Sequence, residues 1–221
     1  MGDPTRKAAL FDAVARTGKA LSNGKRLELL DLLAQGERSV DALAKAAGLG
    51  LTTASAHLQA LKQTGLVATR RDGVRIHYRL AGDDVAALYA LLQQVSRTHL
   101  ATTGQARTAY LGPEDTDQLT REELLERVKA GTATVIDVRP AEEYFAGHIP
   151  GSLSIPLDQL EARLAELPDD AEIVAYCRGT NCVLSHDAVR LLAAHGRQAL
   201  RLADGMLEWR LHDLPVEAGA A

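Results

Sequence analysis

Only two thiols occur in the 221 residues, and both stand in Tyr176-Cys177-Arg178-Gly179-Thr180-Asn181-Cys182. The run follows an apolar stretch, Ile173-Val174-Ala175-Tyr176, that reads as a buried strand. Helical periodicity follows from Val183 to His195. A cysteine at such a strand-to-helix turn meets backbone N–H groups and the positive end of the helix, and both favour thiolate over thiol. Cys177 is therefore predicted to be an acidic nucleophile, with Gly179 permitting the tight backbone of the loop. The amides of Arg178, Gly179, Thr180, Asn181, Cys182 and Val183 also suit a terminal persulfide anion on Cys177. Arg178 would add positive charge at the mouth for anionic donors.

Cys182 has two readings. It resolves a persulfide on Cys177, releasing sulfide and leaving a disulfide or sharing the extra sulfur as a trisulfide. Alternatively it packs beneath the following helix, as free cysteines often do. A structural disulfide is not expected where thiols are kept reduced.

The elements that must position this loop alternate between strand and helix. Val135-Ile136-Asp137-Val138 and Leu200-Arg201-Leu202 are further strands, and Thr120 with Glu123 forms a capping box that opens a helix before them. This order predicts a parallel sheet with helices on both faces. The first hundred residues read differently. Leu27, Leu30 and Leu33 share one helix face, Val40 to Ala47 form a second helix, and Thr52 is placed as the cap of a third that buries Ala54, Leu58 and Leu61. Two strand-like runs, Leu66 to Arg70 and Val74 to Leu80, flank an Asp72-Gly73 turn. A long helix from Asp83 follows, and with the apolar positions from Leu10 to Val14 it is expected to form a dimer interface. The order helix, turn, helix, hairpin, helix is that of a winged helix-turn-helix. The expected fold is thus two domains, a mainly-α winged helix-turn-helix over residues 1–102 and an α/β domain over 117–221, with 103–116 as linker.

Charge divides along the same line. Residues 1–104 carry 14 Lys and Arg against 9 Asp and Glu, whereas 105–221 carry 11 against 20. Only the first half is suited to a polyanion. Thr52, Thr53, Ser55 and Gln59 lie on the outward face of the third helix, with Gln59 able to read an adenine edge. His57 sits at the edge of the buried stripe, with a phosphate contact and a packing role both open. Arg70, Arg71 and Arg75 around the wing tip are phosphate or minor-groove candidates.

The segments Asn23-Gly24-Lys25-Arg26-Leu27-Glu28-Leu29-Leu30, Ser39-Val40-Asp41-Ala42-Leu43-Ala44, Thr53-Ala54-Ser55-Ala56-His57-Leu58, Gly65-Leu66-Val67 and Ile76-His77-Tyr78-Arg79-Leu80 resemble the ArsR family of winged-helix repressors. The resemblance implies a homodimer that binds an inverted-repeat operator in double-stranded DNA and leaves it on a signal. Many relatives sense metals through cysteines before the recognition helix, but Ser39-Val40-Asp41 holds no thiol. Asp83, Asp84 and His99 lack a full ligand set, so no metal is expected. Ala56 stands where many relatives place an arginine, so base specificity does not carry over.

Asp137-Val138-Arg139, Glu142-Glu143-Tyr144, Gly147-His148-Ile149-Pro150-Gly151, Ser154-Ile155-Pro156 and Gly205-Met206-Leu207-Glu208-Trp209, with the cysteine loop, resemble a rhodanese domain. The resemblance implies sulfane sulfur carried as a persulfide on Cys177. Related phosphatases and arsenate reductases need Cys-x5-Arg, and here that position is Val183, which argues against their chemistry. Asp137, Arg139 and His148 are read as structural support for the loop rather than as catalysts.

No apolar run is long enough to cross a bilayer and the N-terminus has no signal-peptide core, so a cytoplasmic protein with no membrane partner and no cofactor is expected. The expected function is a repressor that answers a sulfane-sulfur donor through Cys177. A working thiosulfate or persulfide sulfurtransferase and a peroxide-driven thiol switch are the alternatives.

Overall fold

The structure, a computed structural model, describes residues 3–168 and 171–219. It forms two compact units, Met1–Tyr89 and Ala90–Ala221.

The first unit is helical with a small antiparallel sheet. Helix α1 spans Pro4–Leu21, α2 Gly24–Gln35, α3 Val40–Ala46, α4 Leu51–Gln63 and α5 Asp83–His99; strand β1 is Arg38–Ser39, β2 Val67–Asp72 and β3 Arg75–Leu80. Side chains satisfy the exposed amides at three helix starts: Asp3 accepts from Thr5 N, Asn23 from Arg26 N and Ser39 from Ala42 N. Helix α2 is more central than its predicted stripe. Leu29, Leu30, Leu32 and Leu33 are all buried, whereas Leu27 is half-buried. Thr52 does not cap α4. The helix starts two residues earlier than that cap would place it, with extended Gly50 as the cap, which leaves Thr52 exposed in the first turn. The wing turn is shifted by one residue. Asp72 pairs with Arg75, and Gly73 at φ +59° supplies the left-handed conformation the two-residue loop requires. Leu10, Phe11 and Val14 on α1 and Leu88, Leu91 and Val95 on α5 leave apolar side chains exposed.

The division between the units falls inside α5, earlier than the expected boundary at 102. The segment expected as linker is mostly helix: α6 runs over Ala101–Leu111. Gly104 reads as a breaker, but a single glycine costs a helix only about 1 kcal/mol, and Gly112 at φ +80° ends it instead.

In the second unit follow β4 Gln118–Leu119, α7 Arg121–Ala130, β5 Ala133–Asp137, α8 Ala141–Ala146, β6 Leu153–Ser154 and α9 Leu157–Leu160, continued by a 3-10 turn. Then come β7 Glu172–Tyr176, α10 Leu184–Ala194, β8 Ala199–Leu202 and α11 Met206–Leu211. The strands pair in parallel in the order β4-β8-β7-β5-β6, so β7 is central. Alternate residues of β7 feed two apolar layers. Ile173 and Ala175, with Cys177 beyond the strand end, pack with Ala188, Val189 and Leu192 of α10. Val174 and Tyr176 pack with Leu124 of α7 and Met206 and Trp209 of α11. The predicted capping box is present, Glu123 N donating to Thr120 Oγ1 at 3.3 Å and Thr120 N to Glu123 Oε2 at 2.7 Å. Among the described residues no helix is long and apolar enough to cross a membrane, and no group of His, Cys, Asp and Glu is arranged to hold a metal.

Candidate functional site: a paired-thiol loop at the end of the central strand

Strand β7 delivers Cys177 to its C-terminal end, where the chain turns into α10. The thiol is buried, with 1 % of the residue exposed, and Cys182 is 8 % exposed; neither is in a disulfide. The nearest partner of Cys177 Sγ is Ser185 Oγ at 3.1 Å, with the Cys182 carbonyl oxygen at 3.5 Å. Burial alone would raise the Cys177 pKa. Opposing it are the Cys182 thiol, the Ser185 hydroxyl and the backbone amides of Ser185 and Gly179, and together they bring it below that of an ordinary cysteine. Cys182 answers in the opposite sense. Its side-chain hydrogen bond to Cys177, its burial and the Cys177 charge all hold its proton in place. The pair is thus biased in opposite senses, Cys177 towards thiolate and Cys182 towards keeping its proton.

The far side of the loop is fastened by α11. Met206 N donates to the Cys177 carbonyl and Leu207 N to the Arg178 carbonyl, both at 2.9 Å. Glu208 accepts from Thr180 N at 3.3 Å and Gly205 N at 3.0 Å. A Cβ on Gly205 would lie 2.2 Å from Gly179 N, so backbone meets backbone here and only glycine fits.

Arg178 does not stand as an uncompensated charge at the mouth. Its guanidinium grips Glu143, a buried carboxylate on α8, at 2.6 to 3.0 Å. Beside it opens a groove of about 450 Å³, lined by Val138, Pro140, Glu142, Leu157, Asp158 and Arg178 among others. Thr180 and Asn181 are half-buried and reach α5. Arg97 Nη1 donates to Thr180 Oγ1 at 2.6 Å, and Asn181 Nδ2 donates to Gln93 Oε1 at 2.7 Å. Ser185, Glu143, Gln93 and Arg97 are the site residues that sequence reasoning missed. Only Ser185 had a local signal, a hydroxyl in the first turn of the helix that follows the loop.

Asp137, Arg139 and His148 gather in a separate buried network. Arg139 Nε donates to Asp137 at 2.9 Å, Arg139 Nη2 to the Gly147 carbonyl at 2.8 Å, and Tyr176 Oη to Asp137 at 2.6 Å. His148 stacks on Tyr144 at 3.6 Å, and its Nδ1 lies 3.0 Å from the Tyr144 carbonyl oxygen. The Tyr176 hydroxyl ties this network to the residue before Cys177.

In the first unit, Thr52 and Thr53 are exposed and Ser55 and His57 half-buried on α4. Gln59 is exposed, and its Nε2 donates to Tyr78 Oη at 2.8 Å. Arg70 is also engaged, through a fork on Glu37 at 2.6 and 2.8 Å. Arg71 and Arg75 are exposed at the wing tip.

Comparison with known proteins agrees with both halves. Residues 23–69 match the bacterial regulatory protein, arsR family, and residues 120–212 match the rhodanese-like domain. The chain is 60% identical over 219 residues to the HTH-type transcriptional regulator Rv0324 of Mycobacterium tuberculosis, covering 99% of this chain and 96% of that one. It is also 32% identical over 84 residues to a sulfurtransferase of Allochromatium vinosum, spanning 38% of this chain and 78% of the other. A solved homodimeric winged helix-turn-helix DNA-binding domain from Mycobacterium bovis is 64% identical, covers 45% of this chain and 93% of its own, and superposes with a TM-score of 0.42. Fold and matches together define a winged-helix DNA-binding regulator fused to a sulfurtransferase-type α/β domain. The chain belongs to the ArsR family of transcriptional regulators and carries a C-terminal rhodanese-like domain.

Removing the Ser185 hydroxyl isolates its part in the chemistry. Ser185→Ala is expected to move thiolate formation at Cys177 about one pH unit higher, the order of effect of one hydrogen bond to a charge. Because the reactive form is the deprotonated one, alkylation at neutral pH then slows several-fold and recovers as pH rises. The rate of iodoacetamide labelling against pH, with the modified cysteine identified by mass, measures it. An unchanged profile removes Ser185 from the mechanism.

Proposed function

We propose that the protein is a DNA-binding repressor that answers reactive sulfur through Cys177. The observation that carries this reading is the buried, unbridged thiol pair itself, with Cys177 Sγ 3.1 Å from Ser185 Oγ and Cys182 five residues on, in a loop hydrogen-bonded to α5; contact between the two lowers the pKa of Cys177 and raises that of Cys182. The Cys177 thiolate attacks the outer sulfur of a persulfide R–S–SH, forming Cys177–S–SH and releasing R–S⁻. With the Cys177 charge consumed, Cys182 gives up its proton and its thiolate attacks the inner sulfur, which yields a Cys177–Cys182 disulfide and a hydrosulfide that takes the proton and leaves as hydrogen sulfide. Loop atoms move in either product, and Thr180 and Asn181 are the residues through which α5 would feel it.

In the DNA-bound state, Thr52, Thr53, Ser55 and His57 of α4 face the duplex and Arg71 and Arg75 touch phosphates. A second copy of the chain covers the exposed apolar faces of α1 and α5. Leu10→Glu with Phe11→Glu is expected to give a monomer by light scattering and to weaken DNA binding at least ~100-fold, because each half-site then binds alone. A dimer that survives both substitutions places the interface elsewhere.

The test treats reduced full-length protein with polysulfide, with peroxide, or with thiosulfate and cyanide. Mass spectrometry and binding to the DNA upstream of its own gene are read in parallel. A gain of sulfur followed by DNA release supports the sensor. Release with peroxide alone, at a loss of two hydrogens, replaces it with a thiol switch. Rapid multiple turnover of thiosulfate without DNA release makes the second unit a sulfurtransferase; the groove beside Arg178 favours that reading by offering room for an acceptor.

A further inference from the structure

A second cluster of charge in the same unit is only partly satisfied. His186 on α10 is 3 % exposed, and neither ring nitrogen has a hydrogen-bond partner. Arg201 on β8 is 7 % exposed; its Nη1 donates to the carbonyls of Leu202 and Ala203 and its Nη2 to Gln118, but its Nε is buried and unpartnered. Arg107 on α6 pairs through Nη1 with Glu114 at 3.4 Å, and its Nε is also buried without a partner. Four polar nitrogens on three elements are therefore desolvated with nothing to bond, which native interiors rarely tolerate. The fourth cation nearby, Arg190, is already engaged by Asp115, Asp187 and the Pro113 carbonyl.

We propose that Arg107, His186 and Arg201 form a binding site for a small inorganic oxyanion, of the kind shared by sulfite, sulfate, thiosulfate and phosphate. Sulfate and thiosulfate accept on every oxygen, and phosphate and sulfite on all that are unprotonated, which matches the unpaired guanidinium N–H groups on α6 and β8 and an imidazole on α10 that donates from both nitrogens once protonated. Planar guanidinium groups recognise these anions well. The site is distinct from the thiol loop and does not depend on its reactivity. It is nevertheless within electrostatic reach of it, since Arg201 feels the charge of Cys177. An anion held there would screen Arg201 and make the Cys177 thiolate harder to form.

The electrostatics give the site a pH signature. His186 is held down to about 4, first by burial, then by Arg201, Arg190 and Arg107, with Asp115 acting in the opposite sense. Glu114, Asp187 and the Cys177 thiol are further ionisable groups facing the cluster. Because the folded-state value lies below that of a free histidine, stability without the anion falls as pH drops from about 6.5 towards about 4. A bound anion favours the protonated ring, so binding takes up a proton and tightens over the same interval.

The test uses full-length Cys177→Ser protein, in which sulfur loading is absent, so its result is independent of the sensor reading. Calorimetric titrations with sulfate, sulfite, thiosulfate and phosphate at constant ionic strength, against chloride, are run at pH 7.5 and 6.0. The expected result is one oxyanion per chain, tighter at pH 6.0, with proton uptake and a shift of the His186 ring resonances in nitrogen-15 spectra. Selectivity among the four identifies a sulfur or a phosphorus source. Arg107→Gln and His186→Gln are each expected to lower affinity about tenfold. Arg107 is partly exposed, so its variant should fold even if that of His186 does not. Absence of saturable binding, equal response to chloride, or unchanged affinity in Arg107→Gln overturns the proposal.

Discussion

Replacing Cys177 by serine is expected to abolish sulfur loading while leaving DNA binding within about twofold of the unmodified protein, since the substitution is nearly isosteric. In the wild-type protein, loading should weaken DNA binding by ~5–150-fold, the usual range of coupling between two sites. In Cys177→Ser the weakening should vanish. Cys182→Ser separates the two products: it still gains one sulfur atom but forms no disulfide and releases no sulfide. If Cys177→Ser still leaves DNA when treated with polysulfide, the signal enters elsewhere and the paired-thiol mechanism fails. If Cys182→Ser responds in full, the persulfide itself is the signal and the disulfide is only its decay.

The second large effect concerns α5. Gln93→Ala with Arg97→Ala removes all three bonds to the loop, at Asn181 and Thr180. The double variant is expected to load sulfur at the wild-type rate, because neither residue touches Sγ. Its DNA affinity, however, should change less than about threefold on loading, against the far larger change of the parent. Mass spectrometry and a DNA titration on the same sample give both numbers. Loss of loading would instead assign the pair to building the loop, and a full response would take α5 out of the path. A shared two-state element is what coupling demands. Helix α5 qualifies for the test because it starts in the first unit and ends in the second.

Much of the fold was legible because its signals are local. Thr120 and Glu123 are three residues apart, and the strand Ile173 to Tyr176 is a short apolar run beside a glycine turn, so each carries its own instruction. β4 and β6 were not visible: two residues each, they are strands only because longer neighbours pair with them. Helix α6 was hidden by Gly104 and Gly112, which weigh more in a local reading than in a packed helix. The site divides in the same way. Cys177, Cys182 and Gly179 lie in one run of sequence, whereas Glu143, Gln93 and Arg97 come from 35 to 88 residues away and are brought to the loop by tertiary packing alone. The charge expected of Arg178 was legible, but the buried carboxylate that answers it was not.

The bare contact between Gly179 and Gly205 has a mechanical consequence. Where two main chains already touch, an incoming sulfur atom finds no give, and the α11 amides clamp that flank further. Swelling of the pocket would then be taken up more readily where Thr180 and Asn181 are held to α5 by side-chain bonds alone. A rigid anvil on one flank and a weak latch on the other would turn the volume of one atom into movement in a single direction.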